Sequence, residues 1–212
     1  MEKYPNVEWT KAVKPLLEKY KDKKHPLEYK NTYQLVVMVV LAAQDSDNHI
    51  NKIAPVFFKV FPDMTALFKT TAKDLKEQIA GVRKSDSKAQ WLLEIAQTIK
   101  ADIHIPSTLD ELTALKGIGR KSANVILRES GKAPEGIMVD LHTIRVAPRL
   151  GIATGTDAKK IEKQMMDTLP KSEWDVGMAM SFLGREICRP TPKCEECLTT
   201  AVCKYYNEEV VK

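Results

Sequence analysis

The chain has 212 residues, 43% of them apolar and 29% charged, with a formal net charge of +5. That length fits one large domain or two small lobes, and the apolar share supports a proper core, which excludes a disordered or low-complexity protein. The longest apolar stretch, Tyr33 to Ala43, is too short to span a bilayer and contains Gln34, so no membrane protein is expected. Met1-Glu2-Lys3-Tyr4-Pro5 carries no signal-peptide pattern, and the expectation is a cytoplasmic protein without disulfides.

Apolar residues recur with helical period along nearly the whole chain. In order, the pattern predicts helices over Trp9–Tyr20, Thr32–Ala43, Asp47–Val60, Ala72–Ala80, Asp86–Lys100, Thr108–Leu115, Arg120–Ser130, Leu141–Leu150, Ala158–Leu169 and Trp174–Leu183. Ser107-Thr108-Leu109-Asp110 resembles a capping box, and Gly151 stands where a helix C-cap would. Prolines 26, 62, 106, 134, 170, 190 and 192 fall between these segments, as breakers should. No alternating strand pattern and no internal repeat occur, so the fold class is all-α. Lys21-Asp22-Lys23-Lys24 reads as a solvated loop.

The most informative segment is Leu115-Lys116-Gly117-Ile118-Gly119-Arg120-Lys121. Leu109, Leu112 and Leu115 before it, and Ala123, Ile126 and Leu127 after it, define a helix, a glycine hairpin and a second helix. Gly117 and Gly119 allow a tight turn whose backbone N–H groups, at a helix N-terminus, suit a phosphate oxygen. Lys121 lies just past the turn, where the helix dipole and Arg120 favour a neutral amine. Asp140, 19 positions on, is a carboxylate partner for it and also the natural N-cap of the next helix. Residues 116–149 hold seven Lys/Arg against three Asp/Glu, a net of +4, so almost all the excess charge sits here. That is the footprint of a polyanion-binding face, against the plainer alternative of a solvated surface.

All four cysteines fall within 16 residues, as Cys188-x5-Cys194-x2-Cys197-x5-Cys203. Four thiolates in one compact loop ligate either a [4Fe–4S] cluster or a structural zinc, and the spacing does not separate the two.

Leu-Lys-Gly-Ile-Gly-Arg-Lys, Val139-Asp140-Leu141-His142, the four cysteines, Leu41-Ala42-Ala43-Gln44 and Ser87-Lys88-Ala89 together resemble the helix-hairpin-helix DNA glycosylases, specifically the endonuclease III branch. The resemblance implies two helical lobes: a six-helix barrel over 25–135 carrying the hairpin, and a discontinuous lobe of 1–24 with 136–212 holding an iron–sulfur cluster, with a DNA cleft between them. It implies a monomeric, bifunctional DNA N-glycosylase and abasic-site lyase of base-excision repair, acting on duplex DNA with damaged bases, oxidised pyrimidines foremost, or abasic sites. Lys121 would attack the sugar, Asp140 would stabilise the charge, and Cys188, Cys194, Cys197 and Cys203 would hold a [4Fe–4S] cluster. Gly117, Gly119, Arg120, Gln44, Arg189 and Lys193 would contact DNA, with Gln44 filling the gap left by the flipped base. Two other readings remain open: a monofunctional mismatch or alkylated-base glycosylase, and a non-catalytic helix-hairpin-helix DNA-binding module.

Four features depart from that family. Arg83, Lys84 and Ser85 stand where an apolar wedge within Gly-Leu-Tyr is common, which makes Arg83 and Lys84 either a charged wedge or phosphate contacts. Leu141 replaces the usual Thr, Asp45 puts an acid beside Gln44, and the first cysteine gap is one residue short. His142 is expected to be structural.

Overall fold

The computed structural model describes residues 7–211, so Met1–Pro5 lie outside the described residues. Among these residues the secondary structure is helical throughout, with no strand, and no helix is long and apolar enough to cross a membrane. The α-helices are α1 Trp9–Ala12, α2 Lys14–Tyr20, α3 Thr32–Ala42, α4 Asp47–Val60, α5 Met64–Phe68, α6 Ala72–Gln78, α7 Ser85–Ile99, α8 Leu109–Ala114, α9 Arg120–Glu129, α10 Leu141–Leu150, α11 Ala158–Thr168 and α12 Val176–Glu186. Short 3₁₀ turns and a π-helical turn, Tyr206–Val210, complete the described C-terminal segment.

The chain divides into two compact units: Lys24–Ala133, and a discontinuous one joining the segment up to Lys23 with that from Pro134 onward. The first unit is built around α3. Its Val36, Val37, Met38, Val40 and Leu41 are all fully buried, so the helix is apolar on every side and must be enclosed. Helices α4, α7 and α9 pack on it. The Asn31 side chain caps its start by accepting from the Gln34 N–H at 2.9 Å, and the Tyr33 hydroxyl donates to the Phe61 carbonyl at 2.8 Å. In the second unit α10 and α12 form the principal pair, and α2 packs against α12.

Three expected elements differ. The helix expected over Trp9–Tyr20 is split at Val13, because Pro15 enters at the start of α2 and cannot donate to the preceding turn. The expected Trp174 start moves to Val176, with Lys171–Glu173 forming a 3₁₀ turn after Pro170. The cap of α8 is Thr108, whose hydroxyl accepts from the Glu111 N–H and donates to its carboxylate at 2.7 Å, which moves the expected box by one residue. Helix α5 was not expected. It spans five residues, too few for a periodic signal, and is held by the Asp63 side chain accepting from the Ala66 N–H at 2.7 Å.

Candidate functional site

The glycine hairpin joins α8 to α9 in the first unit. Leu115 and Ile118 are buried and anchor it, while Lys116, Gly119 and Lys121 are exposed. Gly117 has φ +77°, and a Cβ there would meet the Trp91 ring at 2.6 Å, so both conformation and packing demand glycine. Gly119 differs. It is the N-cap of α9 with φ −90°, it offers no capping side chain, and a Cβ there would meet nothing within 4 Å. No packing contact requires its bareness, which leaves the approach to the first N–H groups of a ten-residue helix open. Gly117→Ala is therefore expected to cost about 1–3 kcal/mol of stability in strain and clash, and so to lower the melting temperature clearly. Gly119→Ala should melt like the parent and weaken duplex DNA binding. Thermal melts beside fluorescence-anisotropy titrations check this pair; a Gly119→Ala protein that binds DNA normally contradicts it.

A second feature of the same unit brings Gln44 and Arg83-Lys84 together. Gln44 and Lys84 are exposed and both left-handed, at φ 60° and 57°, an uncommon conformation for residues bearing a Cβ. Lys84 is the N-cap of α7 and supplies no side-chain cap. Between them lies Asp45, whose side chain is only 8% exposed. Its Oδ1 accepts from the Ser46 N–H at 2.8 Å and contacts the His49 Nδ1 at 2.9 Å, and its Oδ2 accepts from the Arg83 N–H at 2.9 Å. Burial alone would raise the Asp45 pKa, yet these bonds outweigh it and hold the group down at about 2. The acid that looked out of place beside phosphates is thus committed inside the protein. Lys88, buried at the other end of this region, donates from Nζ to the Leu41 carbonyl at 2.6 Å; desolvation depresses its pKa, with Asp45 opposing and Arg83 and Lys84 adding to the shift.

In the second unit Asp140 is the N-cap of α10. Its Oδ1 accepts from the N–H groups of His142 at 2.9 Å and Thr143 at 2.8 Å, and its Oδ2 accepts from the Ser181 hydroxyl at 2.6 Å. Arg185 stands 4.0 Å from the same oxygen. The segment entering Asp140 lies directly over α12: a Cβ at Gly177 would meet the Met138 carbonyl at 2.3 Å. Position and rotamer of the carboxylate are therefore fixed from both sides. His142 lies 3.3 Å from the Arg145 guanidinium, in keeping with a structural role, while Leu141 is 67% exposed beside the carboxylate.

The cysteines gather at the other end of α10. Cys188, Cys194, Cys197 and Cys203 line one small apolar recess together with Leu150, Leu183 and Ile187. All four are free thiols, and burial with the neighbouring thiols pushes Cys194 and Cys203 up. Among the described residues no three His, Cys, Asp or Glu side chains converge as a single metal ion requires. Two arginines of α10, absent from the residues singled out by sequence, fasten this loop. Arg145 donates to the Cys188 carbonyl at 3.0 Å and the Gly184 carbonyl at 2.9 Å, and Arg149 donates to the Arg189 and Pro190 carbonyls at 2.6 and 3.0 Å. Their signal was an arginine pair four apart on one helix, counted there only as charge. Arg189 and Lys193 are exposed; Lys193 pairs with Glu196 at 2.9 Å, a surface contact weak enough to exchange for another anion. Lys121 and the hairpin belong to one unit, Asp140 and the cysteines to the other.

A helix-hairpin-helix with a lysine in the first turn of its second helix, followed by a capping aspartate, defines a class. The chain belongs to the HhH-GPD superfamily of base excision DNA repair proteins, whose sequence profile matches residues 37–171. Relatives within that superfamily include endonuclease III proteins of several bacteria. It is 32% identical to Endonuclease III of Synechocystis sp. over 181 residues, 84% of this chain and 83% of the relative. It is 30% identical to that of Haemophilus influenzae over 203 residues, 92% of this chain and 96% of the relative. Among solved structures it resembles a non-covalent Endonuclease III–DNA complex, with TM-score 0.85 and 26% identity over 98% of this chain and 100% of that one. A trapped Endonuclease III–DNA covalent intermediate gives TM-score 0.84 and 26% identity over 96% and 98%.

Proposed function

We infer that this protein is a base-excision DNA glycosylase and abasic-site lyase of the endonuclease III type, working on duplex DNA and taking oxidised pyrimidines. The observation that carries the reading is Lys121 in the first turn of α9, beside a glycine whose bareness serves nothing within the chain. The hairpin places the N-terminus of α9 toward a phosphate, with Lys121 exposed in its first turn. With the damaged nucleotide flipped out, the Lys121 Nζ lone pair forms a bond to the sugar C1′ while the base departs with the electrons of the glycosidic bond. Positive charge develops on the sugar in that step, and the Asp140 carboxylate, held by donors on both oxygens, stabilises it. Loss of nitrogen's proton and opening of the ring give the Schiff base. Removal of a C2′ proton then expels the 3′-phosphate, and water returns the lysine. The test is nicking of an abasic-site duplex with borohydride present: a covalent protein–DNA adduct is expected, and nicking without an adduct, or neither, overturns the reading.

The four cysteines are proposed to hold a [4Fe–4S] cluster. The recess is apolar and lined by all four thiols, no three of which converge as one tetrahedral ion requires, whereas a cubane takes one thiolate on each separated iron. When bound, it would supply a rigid core pinning the loop that carries Arg189 and Lys193.

Arg83 and Lys84 are proposed to enter the stack as a charged wedge opposite the lesion. A cation holds an orphaned base less well than apolar burial does. Lys84→Leu is therefore expected to raise excision of well-paired pyrimidine lesions about threefold or more while changing abasic-site nicking little, since an abasic site costs less to open. Equal losses on every substrate, with a salt dependence flatter by about one phosphate contact, would assign Lys84 to the backbone instead.

A further inference from the structure

Two cross-links tie the end of α3 to the start of α7, and they enclose the same two strained residues. One is Lys88 Nζ donating to the Leu41 carbonyl at 2.6 Å; the other is the Arg83 N–H donating to Asp45 Oδ2 at 2.9 Å. On one side the enclosed stretch runs 41–45 and contains Gln44 at φ 60°; on the other it runs 83–88 and contains Lys84 at φ 57°. These two, with Lys100, are the non-glycine residues of positive φ among the described residues. A left-handed conformation in a residue with a Cβ costs about 1–3 kcal/mol and persists only where surrounding contacts over-determine it. Here the determining contacts are shared: Asp45 holds both turns at their exposed ends, while Lys88 holds them at the buried end. Asp45 also gathers Ser46 N–H at 2.8 Å and His49 Nδ1 at 2.9 Å, so the pin is seated on the first turn of α4 and cannot swing with either turn.

We propose that Asp45 is a positioning residue that locks the Gln44 turn and the Arg83-Lys84 turn into one rigid two-pronged element, so that both prongs enter the duplex together. The proposal rests on the glycosylase reading above, in which Gln44 and Lys84 contact the opened base pair. Entry by one preformed element avoids ordering two separate turns at the moment the nucleotide is flipped, a cost that would otherwise subtract from flipping. The benefit is largest where flipping is hardest. A stably paired lesion must be unstacked and unpaired, whereas an abasic site needs neither. Asp45 is accordingly a specificity element for paired lesions and a bystander in the lyase step.

The experiment compares wild type, Asp45→Ala and Asp45→Asn on two duplexes, one with a paired pyrimidine lesion and one with an abasic site. A 2-aminopurine opposite the lesion reports loss of stacking. Asp45→Ala is expected to lower single-turnover excision of the paired lesion about tenfold at saturating enzyme, to move abasic nicking less than about threefold, and to abolish the 2-aminopurine signal. Asp45→Asn keeps one acceptor oxygen, enough for the Arg83 N–H on Oδ2 or the Ser46 N–H on Oδ1 but not for both, and should therefore recover only part of the loss. Equal effects on both substrates, or unchanged excision with the signal intact, overturn the proposal. Amide exchange in the unmutated protein is an independent check: the exposed Arg83 N–H should be protected, and rapid exchange there overturns the pin whether or not the alanine variant folds. Failure of the wild type to nick the abasic duplex would instead defeat the glycosylase reading itself.

Discussion

Lys121→Gln should give no borohydride-trapped adduct and lower abasic-site nicking by about a thousandfold or more, because an amide nitrogen has no lone pair to offer C1′. DNA binding should stay within a few-fold, since the hairpin, the start of α9 and Arg120 remain. The companion variant separates two roles of one carboxylate. Asp140 caps α10 through the His142 and Thr143 N–H groups, and asparagine is as good a cap as aspartate. Asp140→Asn should therefore melt near the parent temperature and still slow base excision about 10²–10³-fold, the scale on which a preorganised charge-stabilising group acts. Asp140→Ala should lose the same activity and, in addition, about 1 kcal/mol of stability with the cap. If Asp140→Asn excises bases at the parent rate, Asp140 is a cap and nothing more. If Lys121→Gln still traps DNA, the nucleophile lies elsewhere.

The second large effect concerns metal. Protein prepared anaerobically should be yellow-brown and contain about four irons per chain, with absorbance lost on oxidative removal of the cluster. Ligand binding to the folded state is folding free energy, so depleted protein should melt at a distinctly lower temperature, with the loss centred on the described turns from Cys194 onward. Cys197→Ser should behave similarly even in iron-rich medium. A colourless preparation with one zinc per chain would replace the cluster by a structural zinc and leave the lysine chemistry untouched.

Much of the fold was legible because apolar period and caps act over one or two turns. The bounds of α4 and α10 follow directly from Ser46 and Asp140 at their starts and from the periodic run after each. The split at Val13 was missed although Pro15 announces it, because the periodicity of Trp9–Tyr20 continues through the break. The left-handed turn at Gly117 was legible too, but its cause was only half visible: Trp91 fills the space above it from another helix. Tertiary bonds account for the rest. Asp45 reaches the Arg83 N–H across 38 residues and Arg149 reaches Pro190 across 41, and no local pattern encodes either distance. The sequence marked Asp45 as an oddity beside phosphate, whereas its surroundings make it an internal acceptor. The same limit applies to Arg145 and Arg149, whose charges were counted but whose partners are carbonyls on a distant loop.

Helix α10 carries Asp140 at its first residue's cap and Arg149 near its last turn, so a rod of ten residues, about 15 Å long, ends in the carboxylate at one tip and the cysteine loop at the other. Arg145 and Arg149 fasten the loop to the rod's far end, while its cap bonds and Ser181 hold the carboxylate end. On the proposed cluster, a cell short of iron or sulfur would then hold a stock of chains with a loosened DNA-facing loop at one tip although the carboxylate at the other, and every reacting residue, is intact. Its capacity to mend DNA would follow mineral supply, and damage by oxidants, which destroy both clusters and bases, would strike the repairer and the thing repaired together.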